Sequence, residues 1–350
     1  MGSGRASPRP VLHERGSGRH QRGIGWVPVQ PGAGEAYGRT RRTLHQELLG
    51  AGAMSTNFPK TNFVAPRPQL SFLLPGQFRF NPGRKLGQGG LGYVDEITIV
   101  ASSASDLPVG TKLARKRLNE NFKTRPEARE RFEREIRALA TMSHPNIVTV
   151  EGQNAPGGER CYMMPLYPNN LRNHLAAHPT GFSWTSVALF IAKIADAMTY
   201  AHEMRFIHRD LKPENILLTQ ENEPVIADWG LGYFIHKESK VLQHLTQGCM
   251  GTEYYCSMEQ WNTGKCSQTG DIYSLGMMLA ELIKGYQVPM VVPGLTGTGI
   301  AEDVVLGSTH GARMLNNLIR KMTHISPESR PQSMADVALQ LRMAVAFANA

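Results

Sequence analysis

A chain of 350 residues with 41% hydrophobic content is long enough to bury a substantial core. No apolar run approaches the roughly 18 residues that a membrane-spanning helix needs, so the composition argues against such a protein and we expect a soluble one. The formal net charge of +9 divides into +5 for residues 1–53 and +4 for the remainder.

Residues 1–53 form a basic segment with eight arginines, three glutamates, no lysine or aspartate, and eleven glycines. This composition favours a disordered leader, followed by a linker over residues 54–77. An organellar transit peptide, or an untranslated leader before a start at Met54, are the alternatives. A nucleic-acid partner is disfavoured because no aromatic residues are interleaved with the arginines in a known binding pattern.

The four cysteines have neither the spacing of a disulfide framework nor that of a zinc site. We therefore expect reduced thiols and a cytoplasmic or nuclear location, with organellar targeting by residues 1–53 as the alternative. The cysteines are Cys161, Cys249, Cys256 and Cys266.

Residues 87–94, Gly-Gln-Gly-Gly-Leu-Gly-Tyr-Val, predict a glycine-rich hairpin. Glycines let backbone amides approach phosphate groups because no Cβ lies in the way. The β-branched residues of 94–100 favour a strand after the loop, whereas a dinucleotide-binding turn would open a helix there. The candidate phosphate-contacting residues are Gly87, Gln88, Gly89, Gly90 and Gly92.

A second strand is predicted over residues 113–118. Strand alternation places Ala114 and Lys116 on one face and the neighbouring arginines on the other. The candidate functional cations of this strand are Lys116, Lys112 and Arg117.

A helix is predicted from about residue 125 to residue 142. Residues 124–127, Thr-Arg-Pro-Glu, have capping-box spacing with a proline in the first turn. Glu135 borders the apolar stripe of this helix, and a carboxylate close to a buried face needs a cation, so we expect Glu135 to pair with Lys116. The alternative acids on the same helix are Glu130 and Glu133.

Three further helices are predicted from apolar periodicity. The longest covers residues 184–203 and is expected to form the core of the larger half of the protein. Two closing helices are expected over residues 315–322 and 334–343.

Residues 208–215, His-Arg-Asp-Leu-Lys-Pro-Glu-Asn, concentrate acidic, basic and amide side chains, and Asp228-Trp229-Gly230 follows 13 residues after Asn215. Phosphoryl transfer needs a carboxylate that receives a hydroxyl proton, ligands for Mg²⁺ and cations for phosphate oxygens. The two segments resemble the catalytic loop and the metal-binding DFG element of eukaryotic protein kinases. The lysine before Pro-Glu-Asn is similar to the serine/threonine branch of that family. The structural alternative is that these Asp and Asn residues only cap turns.

The resemblance implies that Asp210 is the catalytic base and that Asn215 and Asp228 bind Mg²⁺. It also implies that Lys212 lies near the transferred phosphate and that Lys116 holds the α and β phosphates of ATP. Residues 161–167 resemble the last strand of the small lobe running into a hinge, with Met164 as gatekeeper. The adenine would hydrogen-bond main-chain groups between Pro165 and Tyr167. The other ATP-binding residues that the resemblance implies are Val94, Ala114, Met164 and Leu217.

Residues 251–259 resemble the end of the activation segment, where peptide substrates dock, with Ser-Met-Glu in place of Ala-Pro-Glu. The resemblance implies that Glu259 pairs with a buried arginine, Arg330. It further implies that Asp271, at the start of the central helix, braces the backbone of the catalytic loop that contains His208.

Regulation is implied by Arg209, because kinases with an arginine before the catalytic aspartate are commonly switched by a phosphate in the activation segment. Thr246 is the favoured phosphate acceptor, and Ser239 and Thr252 are alternatives, although Thr252 is expected to shape the substrate pocket. Glu214 occupies a position at which some family members bind an upstream arginine of the substrate, so basophilic specificity is left open.

We therefore expect an α+β protein kinase fold over residues 78–347, with a small antiparallel β lobe (78–163), a hinge (164–167) and a mainly helical large lobe (168–347). The implied activity is ATP- and Mg²⁺-dependent phosphorylation of serine or threonine in protein substrates. The alternative is a pseudokinase that acts as a nucleotide-binding scaffold. An upstream kinase or autophosphorylation would supply the activating phosphate.

Overall fold

The computed structural model describes residues 78–88, 92–103, 107–153, 160–229, 254–263, 266–289, 299–300 and 302–349. In chain order, the strands are β1 (Phe78–Gln88), β2 (Gly92–Ser102), β3 (Lys112–Leu118), β4 (Gly152–Gln153), β5 (Cys161–Pro165), β6 (Asn169–Asn170), β7 (Ile216–Leu218) and β8 (Pro224–Ile226). The helices are α1 (Pro126–Thr141), α2 (Leu171–Ala176), α3 (Trp184–Glu203), α4 (Met258–Thr263), α5 (Gln268–Lys284), α6 (His310–Met322) and α7 (Met334–Ala346). The two-lobed α+β architecture expected from the sequence is confirmed.

The small lobe is built on an antiparallel sheet whose strand order is β1-β2-β3-β5-β4. Its register places Lys116 of β3 opposite Val94 of β2 on one side and Tyr162 of β5 on the other. Directly opposed residues in a sheet present their side chains to the same face. The register therefore brings these three side chains to one face of the sheet.

The two faces of this sheet belong to different hydrophobic clusters, as the alternation of β3 predicts. Ala114 and Leu118 pack into the main core together with Phe132 of α1. The opposite face carries a smaller cluster, to which Leu113 belongs. Arg115 is also buried. Both faces of the small-lobe sheet are therefore covered, and Lys116 points to the same side as the main core.

The start of α1 differs from the prediction. The N-cap residue is Arg125 rather than Thr124, and its side chain makes no capping hydrogen bond. Pro126 explains the shift, because a proline favours the first helical position and holds the preceding residue in an extended conformation. Arg125 has φ −88° and ψ 114°, as this restriction requires.

The large lobe is organised around α3, whose bounds match the predicted 184–203. Its buried face includes Val187, Ile191, Ile194, Met198 and Ala201, the expected apolar stripe. None of the helices in the described part of the chain is both long and apolar enough to cross a membrane.

The helix predicted at 315–322 begins five residues earlier, at His310. Thr309 caps it by accepting a hydrogen bond from the amide of Ala312 at 3.2 Å, and this cap sets the start independently of the apolar stripe. Helix α7 extends three residues beyond the predicted end at Met343.

A short hairpin formed by β7 and β8 carries the two predicted metal-binding segments. Ile216 pairs with Ile226, so the residues just outside the pair, Asn215 and Ala227, face each other. The amide of Ala227 donates to the carbonyl of Asn215 at 2.9 Å. The 13-residue spacing between Asn215 and Asp228 is therefore the length of a hairpin that brings its two ends together.

Candidate active site

Lys116 lies between two carboxylates contributed by different parts of the chain. Its Nζ atom donates to Oε1 of Glu135 at 2.9 Å and also contacts Oδ1 of Asp228. The lysine side chain is 8% exposed and that of Glu135 is fully buried. The predicted pairing of Lys116 with Glu135 is thus confirmed, and the same amine reaches Asp228 across the cleft.

The rival residues are engaged elsewhere. Lys112 pairs with Glu96 at 2.8 Å, and Arg117 lies over the ring of Tyr93 at 4.0 Å. Glu130 pairs with Arg134 on the exposed surface of α1, and Glu133 lies 3.9 Å from Arg137. These contacts leave Lys116 and Glu135 as the pair that faces the cleft.

Burial and charge act in opposite directions on the three groups. Burial alone would lower the pKa of Lys116, but the negative charges of Asp228 and Glu135 outweigh it and raise the pKa well above its ordinary value. Burial raises the pKa of Glu135 to about 7 against the attraction of Lys116. For Asp228, the attraction of Lys116 overcomes burial, and the pKa is lowered.

In the catalytic loop, Asp210 has two donors on one oxygen. Its Oδ2 atom accepts from Nζ of Lys212 at 2.7 Å and from Nδ2 of Asn215 at 3.0 Å. Both bonds fall on Oδ2, which leaves Oδ1 as an acceptor. Burial would lower the pKa of Lys212, but the charge of Asp210 raises it above its ordinary value, so this amine is a cation.

Asn215 and Asp228 are suitable ligands for a hard divalent cation. Asn215 uses Nδ2 in bonds to the carbonyl and carboxylate of Asp210, which leaves its Oδ1 as an acceptor. Asp228 uses Oδ1 with Lys116 and retains a second carboxylate oxygen on a side chain that is 27% exposed. An amide oxygen and a carboxylate on one side of a cleft fit Mg²⁺, which takes oxygen ligands and shares them with phosphates and water.

Asp271 at the start of α5 holds the catalytic loop by its backbone. It accepts from the amides of His208 at 3.0 Å and Arg209 at 2.9 Å, and from Nε2 of His202 at 2.8 Å. His208 is itself buried and donates to the carbonyl of Ala227, next to Asp228. The predicted bracing by Asp271 is confirmed, and His202 is a third partner that the sequence analysis did not identify.

Two residues of this region have a left-handed backbone. Arg209 has φ 73° and Asp228 has φ 66°, in a region that side-chain-bearing residues rarely adopt. The surrounding hydrogen bonds of Asp271 and His208 hold the chain in these conformations. Such strain is typical of functional sites, where it fixes the direction of a side chain.

The glycine-rich hairpin has open space where it is expected to meet phosphate. A Cβ added to Gly87 would meet no atom of the described residues within 4 Å, whereas one at Gly92 would lie 2.6 Å from the carbonyl oxygen of Arg117. Gly92 is therefore required by the close approach of β3, and Gly87 leaves its side of the hairpin unobstructed. Gln88 accepts from Lys85 at 2.5 Å. Gly89 and Gly90 lie outside the described residues.

Except for Pro165, the residues expected to bind ATP through its base belong to the main core or border it. Ala114 is opposite Met164 in the sheet, and both are buried in the main core. Val94 and Leu217 are partly buried against the same core, as is Tyr167. Pro165 ends β5 and is partly exposed. The predicted base-binding residues are thus arranged along β2, β3, β5 and β7.

In the large lobe, Arg330 makes two bonds to Glu259, from Nη1 to Oε1 at 2.7 Å and from Nη2 to Oε2 at 2.9 Å. The predicted pair is confirmed. The arginine side chain is fully buried and also donates to backbone carbonyls of Thr269, His324 and Ile325. The predicted phosphate acceptors Thr246, Ser239 and Thr252 lie outside the described residues.

Glu214 has a partner within the chain. Its Oε1 accepts from Nε of Arg172 at 2.8 Å, and Nη1 of the same arginine donates to Glu281 at 2.7 Å. Tyr255 contacts both Arg172 and Glu281. The sequence analysis missed this group, because its members come from four separate elements and no local pattern joins them.

Comparisons with known proteins show the family to which this chain belongs. The protein kinase domain matches residues 80–340. The Arabidopsis thaliana proline-rich receptor-like protein kinase PERK5 is 30% identical over 290 residues, 81% of this chain and 39% of the relative. Receptor-like serine/threonine-protein kinase ALE2 of the same plant is 30% identical over 263 residues, 74% of this chain and 32% of the relative. The chain thus spans about a third of the length of these relatives. Because the family match covers most of it, this chain belongs to the protein kinase family.

Proposed function

We propose that this chain is an active serine/threonine protein kinase that transfers the γ-phosphoryl group of ATP to a hydroxyl of a protein substrate. One observation carries the proposal: Nζ of Lys116 contacts Glu135 and Asp228 together. This arrangement joins the cation expected at the α and β phosphates to the carboxylate expected at the metal ion.

The residues divide the work of the reaction among them. Oδ1 of Asp210 receives the proton of the attacking hydroxyl while Lys212 and Asn215 hold Oδ2. The ammonium groups of Lys116 and Lys212 balance phosphate charge on the two sides of the site. Asn215 and Asp228 would hold Mg²⁺, which neutralises charge on the phosphate oxygens when it is bound.

The serine/threonine assignment is supported by two observations. Lys212 donates to the carboxylate of Asp210, so a cation is fixed beside the proposed base. Two relatives named receptor-like serine/threonine-protein kinases match this chain over 214 and 263 residues. Activation by phosphorylation of Thr246, by an upstream kinase or by this kinase itself, remains a prediction. A cytoplasmic or nuclear location also remains a prediction.

The test is phosphorylation of a serine/threonine peptide array by the purified protein with ATP and Mg²⁺. The inactive comparison is Asp210→Asn, and the matched control is Asp303→Asn, which alters an exposed aspartate paired with Arg320 on the surface. We expect activity in the wild type and in Asp303→Asn, and a loss of at least about a hundredfold in Asp210→Asn. Wild-type activity no higher than that of Asp210→Asn, with Thr246 phosphorylated, would favour the scaffold.

A further inference from the structure

Glu135 receives a second hydrogen bond in addition to that of Lys116. The hydroxyl of Tyr162 donates to Oε1 of Glu135 at 3.0 Å, the same oxygen that accepts from Lys116 at 2.9 Å. Tyr162 and Glu135 are each 1% exposed. The contact is therefore a buried, charge-assisted hydrogen bond, a class that is about twice as strong as a neutral one.

The position of Tyr162 follows from the sheet and the helix together. The β3–β5 register sets Tyr162 directly opposite Lys116, and the lysine Nζ lies 5.8 Å from the centre of the tyrosine ring. The ring also packs against Phe132, one turn before Glu135 on α1, with ring centres 5.7 Å apart. One side chain thus contacts both the strand that carries the lysine and the helix that carries its acid.

Glu135 depends on few donors. Within the part of the chain that the structure describes, its other oxygen, Oε2, is buried and has no hydrogen-bond partner. Lys116 is shared with Asp228, so its charge is divided between two carboxylates. A buried carboxylate that loses a donor is more costly to keep ionised and in place. The Tyr162 hydroxyl therefore supports the charged form of Glu135 directly.

We infer that Tyr162 is a positioning residue: its hydroxyl holds Glu135 ionised and in place, so that Glu135 keeps the Lys116 amine where the nucleotide phosphates bind. This inference rests on the proposed function, because it assigns Lys116 to the nucleotide. Nothing local in the sequence around Tyr162 indicates this role, which arises from the pairing of β5 with β3 and its packing against α1.

The first test is Tyr162→Phe, which removes only the hydroxyl and keeps the ring against Phe132. The matched control is Tyr200→Phe, which removes a tyrosine hydroxyl that accepts from the amide of Ser143 at 3.0 Å in another part of the protein. We expect the dissociation constant for MgATP to rise about tenfold in Tyr162→Phe and less than about twofold in Tyr200→Phe. Equal effects in the two variants would overturn the inference.

The second test separates positioning from packing by a double-mutant cycle with Glu135→Leu. If Tyr162 acts through Glu135, adding Tyr162→Phe to Glu135→Leu will not weaken MgATP binding further. Adding it will also raise the thermal stability of Glu135→Leu, because it removes a tyrosine hydroxyl left without its acceptor. Effects that multiply in the double variant would contradict the inference. If Glu135→Leu does not fold, Glu135→Met replaces it in the same cycle, because it also lacks the oxygen that accepts from Tyr162.

The measurements distinguish this inference from the proposed function. A wild-type protein that binds MgATP but shows no turnover above Asp210→Asn contradicts the proposed function only, since the cycle is still measured on the dissociation constants. If the wild type shows turnover, and the effects of Tyr162→Phe and Glu135→Leu on the dissociation constant for MgATP multiply, only the role of Tyr162 is contradicted. A wild-type protein that binds no MgATP contradicts both.

Discussion

The guanidinium of Arg115 donates to both carboxylate oxygens of Asp95, from Nε to Oδ1 at 3.1 Å and from Nη2 to Oδ2 at 2.6 Å. The two residues lie opposite each other on β3 and β2, and the arginine also packs over the ring of Phe80 at 4.8 Å. Both side chains are buried. An arginine thus occupies a position where protein kinases commonly carry an apolar residue, because an acid faces it across the sheet.

We expect a single substitution in this buried pair to lower the free energy of unfolding much more than a double substitution does. Asp95→Ala leaves the Arg115 charge buried beside a vacated site and should lower the free energy of unfolding by about 3–5 kcal/mol. The combination of Asp95→Val with Arg115→Ile should restore most of that loss, since two apolar side chains need no partner. Urea unfolding of the three proteins checks this. A double variant as unstable as Asp95→Ala would contradict it.

Arg330 should be irreplaceable by lysine. Its planar guanidinium serves Glu259 and three backbone carbonyls at once, and a lysine ammonium cannot reproduce that geometry. We expect Arg330→Lys to lower the free energy of unfolding by about 2–4 kcal/mol and Arg330→Ala by still more. Arg313→Lys, at an exposed arginine of α6, is the control and should change stability by less than about 0.5 kcal/mol.

The acidity of Glu135 predicts a pH dependence of nucleotide binding. Burial raises its pKa to about 7, so its folded-state pKa lies above the ordinary value of 4.5. The folded state therefore holds this proton more tightly than the unfolded state, and this residue's contribution to stability falls as the pH rises from about 4.5 to about 7. The ion pair with Lys116 behaves oppositely: it forms as Glu135 ionises near pH 7.

We therefore expect the affinity for MgATP to fall up to about tenfold between pH 8 and pH 6, as the ionised fraction of Glu135 decreases. Isothermal titration at several pH values measures it. Glu135→Gln is the control, because it keeps the shape of the side chain and cannot ionise, and any pH dependence that it retains belongs to the nucleotide. If the affinity for MgATP changes equally with pH in the wild type and in Glu135→Gln, Glu135 does not titrate between pH 6 and pH 8.

The internal partner of Glu214 predicts weak selection for basic substrates. Arg172 already supplies a guanidinium to Glu214 and Glu281, so a substrate arginine would have to displace it. We expect the wild type to phosphorylate peptides with and without an arginine near the acceptor at rates within about threefold. Arg172→Ala should favour the arginine peptides by about tenfold, as one charge-assisted contact allows. Adding Glu214→Gln should abolish that gain, and its persistence would refute the explanation.

The sequence was sufficient for features that depend on local order. Strand alternation put Lys116 on the same face of β3 as Ala114, and the apolar stripe of α3 placed its buried residues correctly. The contact between Lys116 and Glu135 was predicted from the family resemblance, which singled out Lys116, and from the rule that a carboxylate near a buried face needs a cation. The family resemblance supplied the pairing of Glu259 with Arg330, which no local pattern implies.

The features that were missed depend on registers between distant segments. Asp95 and Arg115 pair only because β2 and β3 align at those positions, and Tyr162 reaches Glu135 only because β5 pairs with β3 and packs on α1. The cap at Thr124 was wrong for a local reason, since Pro126 had a stronger preference for the first helical position.

Asp271 ties the segment that carries the proposed base to the central helix of the large lobe, through backbone amides rather than side chains. Side-chain substitutions within this segment therefore leave these two hydrogen bonds in place. Lys116 and Glu135, in contrast, both belong to the small lobe. We expect a rotation of the small lobe to change the position of Lys116 relative to the nucleotide, while Asp210 keeps its position in the large lobe. Regulation by movement of the small lobe would then change the binding of ATP and leave the position of the proposed base unchanged.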